Sequence, residues 1–172
     1  MKTALLLGTN HPIQRGEKQK DSFKSYLVKL CFTYKVKAIA EEIDDKDRYV
    51  AEDLCDVHNI KYKIIEPTLS ERLGLRIENI NDVIREVMER YEISEWPDKP
   101  SADSLSPEAY KEYDTRTQTI FRKRESEWLR RINKLDIWPV LIICGADHYE
   151  SFYKLLVASG INVVNKENKW GL

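Results

Sequence analysis

Two of the three histidines in this 172-residue chain follow the same local pattern, an apolar run and then G-x-x-H. The first pattern ends in His11 and the second in His148. Three histidines and six glycines would give about 0.1 such pairs by chance, so the repetition favours a function. The pattern predicts a buried strand, a tight turn that the glycine permits, and an imidazole at the carboxyl end of the strand, where open α/β sheets collect their catalytic groups.

Carboxylates follow two further predicted strands. The second predicted strand, 36–43, carries Glu41 and Glu42, and Glu66 follows the third, 60–65. If these strands are parallel neighbours, the acids and the two histidines converge on one rim, because adjacent strands lie about 4.8 Å apart. The sequence leaves open which of Glu41 and Glu42 faces the rim. The alternative for Glu41 and Glu66 is that solvated loops commonly begin with polar residues.

A charged pair interrupts the apolar stripe of the helix predicted over 110–135. Arg124 and Glu125 each lie four residues from apolar residues on both sides. A buried charge without a partner is costly, so we expect one or both to meet an acid or the site itself. Arg124 is a candidate to hold an anionic substrate group or a developing oxyanion. The alternative is an arginine at the margin of the stripe whose charged end reaches water.

Short apolar runs alternate with longer amphipathic segments along the whole chain, which predicts an α/β fold with a layered, largely parallel sheet and helices on both faces. The length predicts a single domain over 1–172. Residues 94–107, which contain three prolines, are predicted to form a loop or lid insertion. The predicted strands cover 3–7, 36–43, 60–65, 140–144 and 161–164. The predicted helices cover 22–35, 46–58, 68–73, 77–91, 110–135 and 150–159.

The composition excludes several classes of protein. Lys and Arg number 28 against 29 Asp and Glu, a net charge of −1, which argues against a nucleic-acid binder. The first apolar run is too short for a signal peptide, and no segment is apolar enough for a membrane span. Three scattered cysteines are typical of free thiols in a reducing cytoplasm. The even charge and scattered aromatic residues allow a homodimer.

The order of these motifs resembles the TraB/TIKI superfamily, which includes the erythromycin esterases and ChaN-like haem-binding proteins. The resemblance covers most of the chain: a strand with G-x-x-H, a second strand with Glu-Ile-Asp at 42–44 in the place of the family's "ELD", an Arg-Glu helix, and a second G-x-x-H. Arg48 matches the arginine soon after "ELD", and Trp128 follows the Arg-Glu pair. Pro12, directly after the first histidine, departs from the family pattern.

The resemblance implies a site at the strand ends and, in several members, hydrolytic activity. Some members are described as metal-dependent peptidases, whereas the erythromycin esterases use a histidine-activated water. Position by position, His11 and His148 match the family histidines. Glu42, with Glu41 as a rival, matches the acid before the Asp of "ELD". The helix motif corresponds to Arg124 and Glu125.

These observations lead to the hypothesis of a hydrolase, an esterase or a metallopeptidase-like enzyme, acting on a small-molecule or peptide substrate. His11, His148 and Glu42 would activate water, and Arg124 would stabilise charge on the substrate. In one version the first three residues hold Mn²⁺, Zn²⁺ or Fe²⁺; in the other, a neutral histidine oriented by Glu42 acts as general base without a metal. The alternative function is a non-catalytic small-ligand or haem-binding protein with the same pocket. The residues predicted to contact the substrate are Glu41, Glu66, Glu125 and Asp147.

Overall fold

The structure is a computed structural model that describes residues 2–44 and 49–172, with the backbone alone at Asn165. The chain divides into two compact units, Met1–Thr68 with Glu125–Leu172, and Leu69–Arg124. The length alone predicts one domain and gives no sign of this division.

The first unit contains a parallel sheet, to which the described residues contribute five strands in the order β3-β2-β4-β1-β5. Every pairing in this order is parallel. The three inner strands are buried on both faces, which is why their sequences are continuous apolar runs rather than alternating ones. The prediction of a layered parallel α/β fold is therefore confirmed. The strands are β1 (Thr3–Thr9), β2 (Ala38–Glu41), β3 (Lys61–Ile64), β4 (Val140–Gly145) and β5 (Asn162–Glu167).

Helices cover both faces of this sheet, and the alternation of side chains along β1 separates two apolar clusters. Leu5 and Leu7 belong to one cluster, whereas Ala4 and Leu6 belong to the other. The first cluster includes buried side chains of α2 (Lys20–Tyr34) and α3 (Val50–His58). The second includes side chains of α7 (Tyr149–Ala158) and of the last turns of α6 (Pro107–Leu135). The edge between these two layers, at the carboxyl ends of the strands, is where the candidate site residues lie.

A one-turn helix that the sequence analysis does not predict, α1 (His11–Gln14), follows β1 directly. Its N-cap is Asn10, whose side-chain oxygen accepts a hydrogen bond of 3.0 Å from the N–H of Ile13. Pro12 lies in the first turn, where a missing N–H leaves no hydrogen bond unmade. An Asn cap followed by a proline was a readable signal for this turn. The departure from the family pattern at Pro12 is thus part of the structure that presents His11.

The second unit, Leu69–Arg124, has an apolar core of its own. It contains α4 (Leu69–Gly74), α5 (Ile80–Arg90) and the first turns of α6. Residues 94–106 contain turns and bends but neither helix nor strand. Across residues 2–44 and 49–172, none of the helices has the length and apolar character that crossing a membrane requires. The buried members of the core are Ile77, Val83, Val87, Ala109 and Ile120.

Candidate functional site

The strand order places the two G-x-x-H turns side by side. β1 and β4 are direct neighbours, and Thr9 of the first turn lies opposite Gly145 of the second. β2 pairs with the other side of β4, and beyond its last residue the N–H of Glu42 still donates to the carbonyl of Ile143 over 2.8 Å. The segments that carry His11, His148 and Glu42 therefore leave three adjacent strands at the same edge of the sheet.

The first histidine is paired with a buried carboxylate. His11 Nε2 lies 3.5 Å from Glu42 Oε2, and the same oxygen accepts a hydrogen bond of 2.9 Å from the backbone N–H of Gly145. The His11 side chain is 41% exposed, whereas that of Glu42 is 3% exposed. The hydrogen bond with Glu42 raises the pKa of His11 above its ordinary value, against the opposing effect of partial burial. This imidazole can therefore exchange protons with solvent while a fixed negative charge stabilises its protonated form.

The second histidine is paired with a different carboxylate, and this pair is fully buried. His148 Nδ1 lies 2.8 Å from Glu125 Oε1, which also accepts a hydrogen bond of 2.7 Å from Ser151 Oγ. The imidazole packs edge-on against Trp128, with 4.8 Å between the ring centroids. Glu125, one of the two charges that interrupt the stripe of α6, thus has its partners at the strand-end edge.

Gly145 lies between the two pairs. A Cβ at this position would lie 3.4 Å from Glu42 Oε2 and 3.9 Å from His148 Cδ2, so the carboxylate and the ring flank the same point of the backbone. Its φ of −58° is open to any residue, so this turn does not use the conformational freedom that glycine permits. Gly8 is likewise outside the left-handed region, and a Cβ there would overlap Asn168 Oδ1. Close approach of neighbouring atoms explains the glycine at position 8, whereas a Cβ at position 145 would make ordinary van der Waals contacts.

Glu41 and Glu42 have different surroundings. Glu41 is the last residue of β2 and is fully buried. Its Oε2 accepts a hydrogen bond of 2.6 Å from the hydroxyl of Tyr62, and its Oε1 accepts one of 3.1 Å from Gln14 Nε2. Burial raises the pKa of Glu41 to about 7, so this carboxyl holds a proton in part of the molecules at neutral pH. Of the two rivals, Glu42 is the one that contacts a candidate histidine.

The remaining predicted residues lie in three different settings. Glu66 is buried, and its Oε2 accepts a hydrogen bond of 2.9 Å from Trp128 Nε1. Asp147 is exposed in the turn between β4 and α7. Arg124 is half-buried on α6 and belongs to the second unit. Arg48 lies outside the described residues. The substrate contacts predicted for Glu66 and Asp147, and the charge stabilisation predicted for Arg124, stay predictions.

Three polar residues contact the candidate site residues without having been predicted from the sequence. Gln14 is a single amide in a one-turn helix, too short for any periodicity. Tyr62 stands between two exposed lysines in an edge strand, and this alternation was a signal that its ring points inward. Ser151 follows His148 by three residues at the start of α7, a spacing that places both on one side of a helical turn.

The described residues do not fit the metal-dependent version of the hypothesis. Within 2–44 and 49–172 no group of three or more His, Cys, Asp or Glu side chains is arranged to hold a metal ion. Each of the two histidines instead contacts a carboxylate of its own, and Glu42 Oε2 and Glu125 Oε1 already accept hydrogen bonds. The hydrogen-bonded version, in which an imidazole is oriented by a carboxylate, agrees better with these contacts.

Comparisons of the chain with protein-family models, with curated proteins and with solved structures found no match. The resemblance to the TraB/TIKI superfamily therefore rests on the order of the motifs alone.

Proposed function

We propose that this chain is a hydrolase that cleaves an ester or amide bond of a small-molecule or peptide substrate, with His11 as a metal-free general base oriented by Glu42. One observation carries the proposal: a half-exposed imidazole lies 3.5 Å from a buried carboxylate that a backbone N–H holds in place. General acid–base chemistry needs this combination of access, proton affinity and fixed orientation.

The contact with Glu42 assigns the ring nitrogens of His11. Nε2 faces Glu42 Oε2 and carries the proton of the neutral ring, so Nδ1 is the nitrogen that accepts a proton from water. A length of 3.5 Å is long for a hydrogen bond, but such contacts in unliganded enzymes commonly tighten when substrate excludes water. Protonation of Nδ1 creates an imidazolium that the Glu42 carboxylate stabilises directly.

The reaction is a hydrolysis in which every atom is supplied by water and substrate. The water oxygen forms a bond to the carbonyl carbon while its proton passes to His11 Nδ1. The carbon–oxygen or carbon–nitrogen bond to the leaving group then breaks, and the proton on His11 passes to that group. The products are a carboxylic acid and an alcohol or amine, and the histidine returns to its neutral form.

We assign the His148–Glu125 pair the role of holding substrate or water beside Gly145. Nδ1 of His148 is paired with Glu125 Oε1, and Cδ2 of the same ring is the atom that approaches Gly145. Arg124 stays the candidate for stabilising the oxyanion. We further propose a cytoplasmic location, which agrees with three buried free thiols.

The test is hydrolysis of a panel of activated aryl esters and amino-acid anilides by wild type and single variants. We expect His11→Ala to lower kcat/KM by about 100-fold or more, and His148→Ala to lower it as well. The matched control is His58→Ala, because His58 ends α3 and packs edge-on against Phe32. Unchanged cleavage in both His11→Ala and His148→Ala would contradict the proposal. Binding of the panel compounds without cleavage would favour the alternative of a small-ligand or haem-binding protein.

A further inference from the structure

Gln14 is a buried amide on the same helical turn as His11. Gln14 follows His11 by three positions, so their side chains lie on the same side of α1. Gln14 is 0% exposed. Its Nε2 donates two hydrogen bonds of 3.1 Å, one to Glu41 Oε1 and one to the carbonyl oxygen of Glu42. The amide thus connects the helical turn that carries His11 with the chain segment that carries Glu42.

With the Glu41 carboxyl ionised, only one orientation of this amide satisfies its surroundings. Gln14 Nε2 faces two acceptors, whereas Oε1 has no hydrogen-bond partner among the described residues. Turning the amide over would place Oε1 against two oxygen atoms and would leave the Glu41 and Glu42 oxygens without this donor. The Gln14 side chain therefore acts at this position through its Nε2 donor, and its buried Oε1 forms no hydrogen bond with the described residues.

We propose that Gln14 is a positioning residue of the site, whose amide holds α1 against the end of β2 and so sets the distance between His11 and Glu42. This role rests on the proposed function, because the pair that Gln14 aligns is the proposed general base. The amide is neutral, so it fixes the Glu42 backbone without offsetting the charge of the Glu42 carboxylate. A lysine or arginine in its place would add a positive charge beside the Glu41 carboxyl and the Glu42 backbone, and would weaken the effect of Glu42 on His11.

Tyr62 provides a matched control for this role. Its hydroxyl also donates a hydrogen bond to Glu41, through Oε2 over 2.6 Å. Tyr62→Phe therefore removes one donor from Glu41, as a change at Gln14 does, but leaves both Gln14 hydrogen bonds in place. If the alignment of His11 depends only on the donors to Glu41, the two variants will change His11 alike. If it depends on the bridge to Glu42, only the change at Gln14 will affect His11.

The first readout is the tautomer of His11, observed by nitrogen NMR of the imidazoles at alkaline pH. The chain has three histidines, so the spectrum is simple and His148 and His58 serve as internal references. In wild type, neutral His11 carries its proton on Nε2. We expect Gln14→Met, which keeps the shape but lacks the donor, to shift the His11 signals toward those of Glu42→Gln. In Gln14→Met the His148 and His58 signals should keep their wild-type chemical shifts. In Tyr62→Phe the His11 signals should also keep their wild-type shifts.

Two results would overturn the proposal: wild-type His11 signals in folded Gln14→Met, or the same His11 shift in Tyr62→Phe. Should Gln14→Met not fold, exchange of the Gln14 side-chain amide protons in wild type decides the question. We expect them to exchange about tenfold or more slowly than those of exposed Gln118, because breaking the bridge requires a local opening. Equal exchange would show that no bridge is present.

The second readout is the kinetics of the cleavage reaction. Misplacing the base without changing the substrate contacts should lower kcat of Gln14→Met by about 10- to 100-fold and leave KM within about twofold. A loss confined to KM would overturn the positioning role. A wild type that cleaves nothing would defeat the proposed function, whereas the NMR comparison would still test the alignment of His11 and Glu42.

Discussion

The backbone N–H of Gly145 donates a hydrogen bond of 2.9 Å to Glu42 Oε2, across 103 positions of sequence. This bond joins the second G-x-x-H turn to the carboxylate that contacts the histidine of the first turn. It orients the carboxylate from one side while His11 contacts it from another. Glu42 therefore has a fixed geometry although it lies just beyond the end of its strand.

The pH dependence of cleavage should report the contact between His11 and Glu42. The base acts in its neutral form, so kcat/KM should rise with pH through the pKa of His11, which the Glu42 contact raises above 6.5. Glu42→Gln removes the largest cause of the raised pKa and should move the midpoint of the profile to lower pH. A midpoint that stays in place in Glu42→Gln would show that Glu42 does not control the base.

Glu41 should make the stability of the protein depend on pH in a particular direction. Its pKa is about 7 in the folded protein against 4.5 as the ordinary value, so the folded state binds more protons than the unfolded state between these limits. The free energy of unfolding of wild type should therefore fall as pH rises through this window, by about 3 kcal/mol at most.

Glu41→Gln should lack this dependence, so its stability relative to wild type should increase between about pH 4.5 and about pH 7. Urea unfolding at several pH values measures the difference, and Asp147→Asn, at an exposed position, controls for the loss of one negative charge. A difference between Glu41→Gln and wild type that stays constant with pH would contradict the account of Glu41.

The glycines of the two turns should differ in their tolerance of alanine. A Cβ at position 8 would overlap Asn168 Oδ1 and lie 3.1 Å from Tyr149 Cδ2. Gly8→Ala should therefore cost about 1–3 kcal/mol of the free energy of unfolding, as overpacking commonly does. A Cβ at position 145 would lie 3.4 Å from its nearest atom, so Gly145→Ala should lower the free energy of unfolding by less. Urea denaturation of both variants compares them, and equal costs would contradict this packing.

The buried pair of His148 and Glu125 should contribute to stability as well as to the site. Glu125→Leu removes the carboxylate that lies 2.8 Å from His148 Nδ1. It should lower the free energy of unfolding by about 1–3 kcal/mol. The control is Ser151→Ala, which removes one hydrogen bond to Glu125 but keeps the imidazole pairing, and should cost about 1 kcal/mol. A larger loss of unfolding free energy in Ser151→Ala than in Glu125→Leu would show that the pairing with His148 is not the main stabilising contact of Glu125.

The fold class could be predicted because buried parallel strands have a distinct sequence pattern. The runs 3–7 and 140–144 are apolar without alternation, and amphipathic helices lie between such runs. Strand order could not be predicted, because the pairing of β1 with β4 joins segments more than 130 residues apart and leaves no local signal. The division into two units also depends on contacts between distant segments.

The candidate site could be predicted only in part. Glu125 stands out in the sequence because it interrupts an apolar stripe, and the structure pairs it with His148. The choice between Glu41 and Glu42 depends on where β2 ends, since successive side chains of a strand point to opposite faces. Boundaries of this kind are set by tertiary contacts, here by Gln14 and Gly145, which no local pattern reveals.

A double-mutant cycle on His11 and Glu42 tests the central claim most directly. The kinetic constants kcat and KM for one cleaved ester would be measured in wild type, His11→Ala, Glu42→Gln and the double variant. If Glu42 acts through His11, the double variant should lose no more kcat/KM than His11→Ala alone, because residues that act as a unit are strongly non-additive. Additive losses in the double variant would show that the two residues act independently, and would contradict a carboxylate-oriented histidine base.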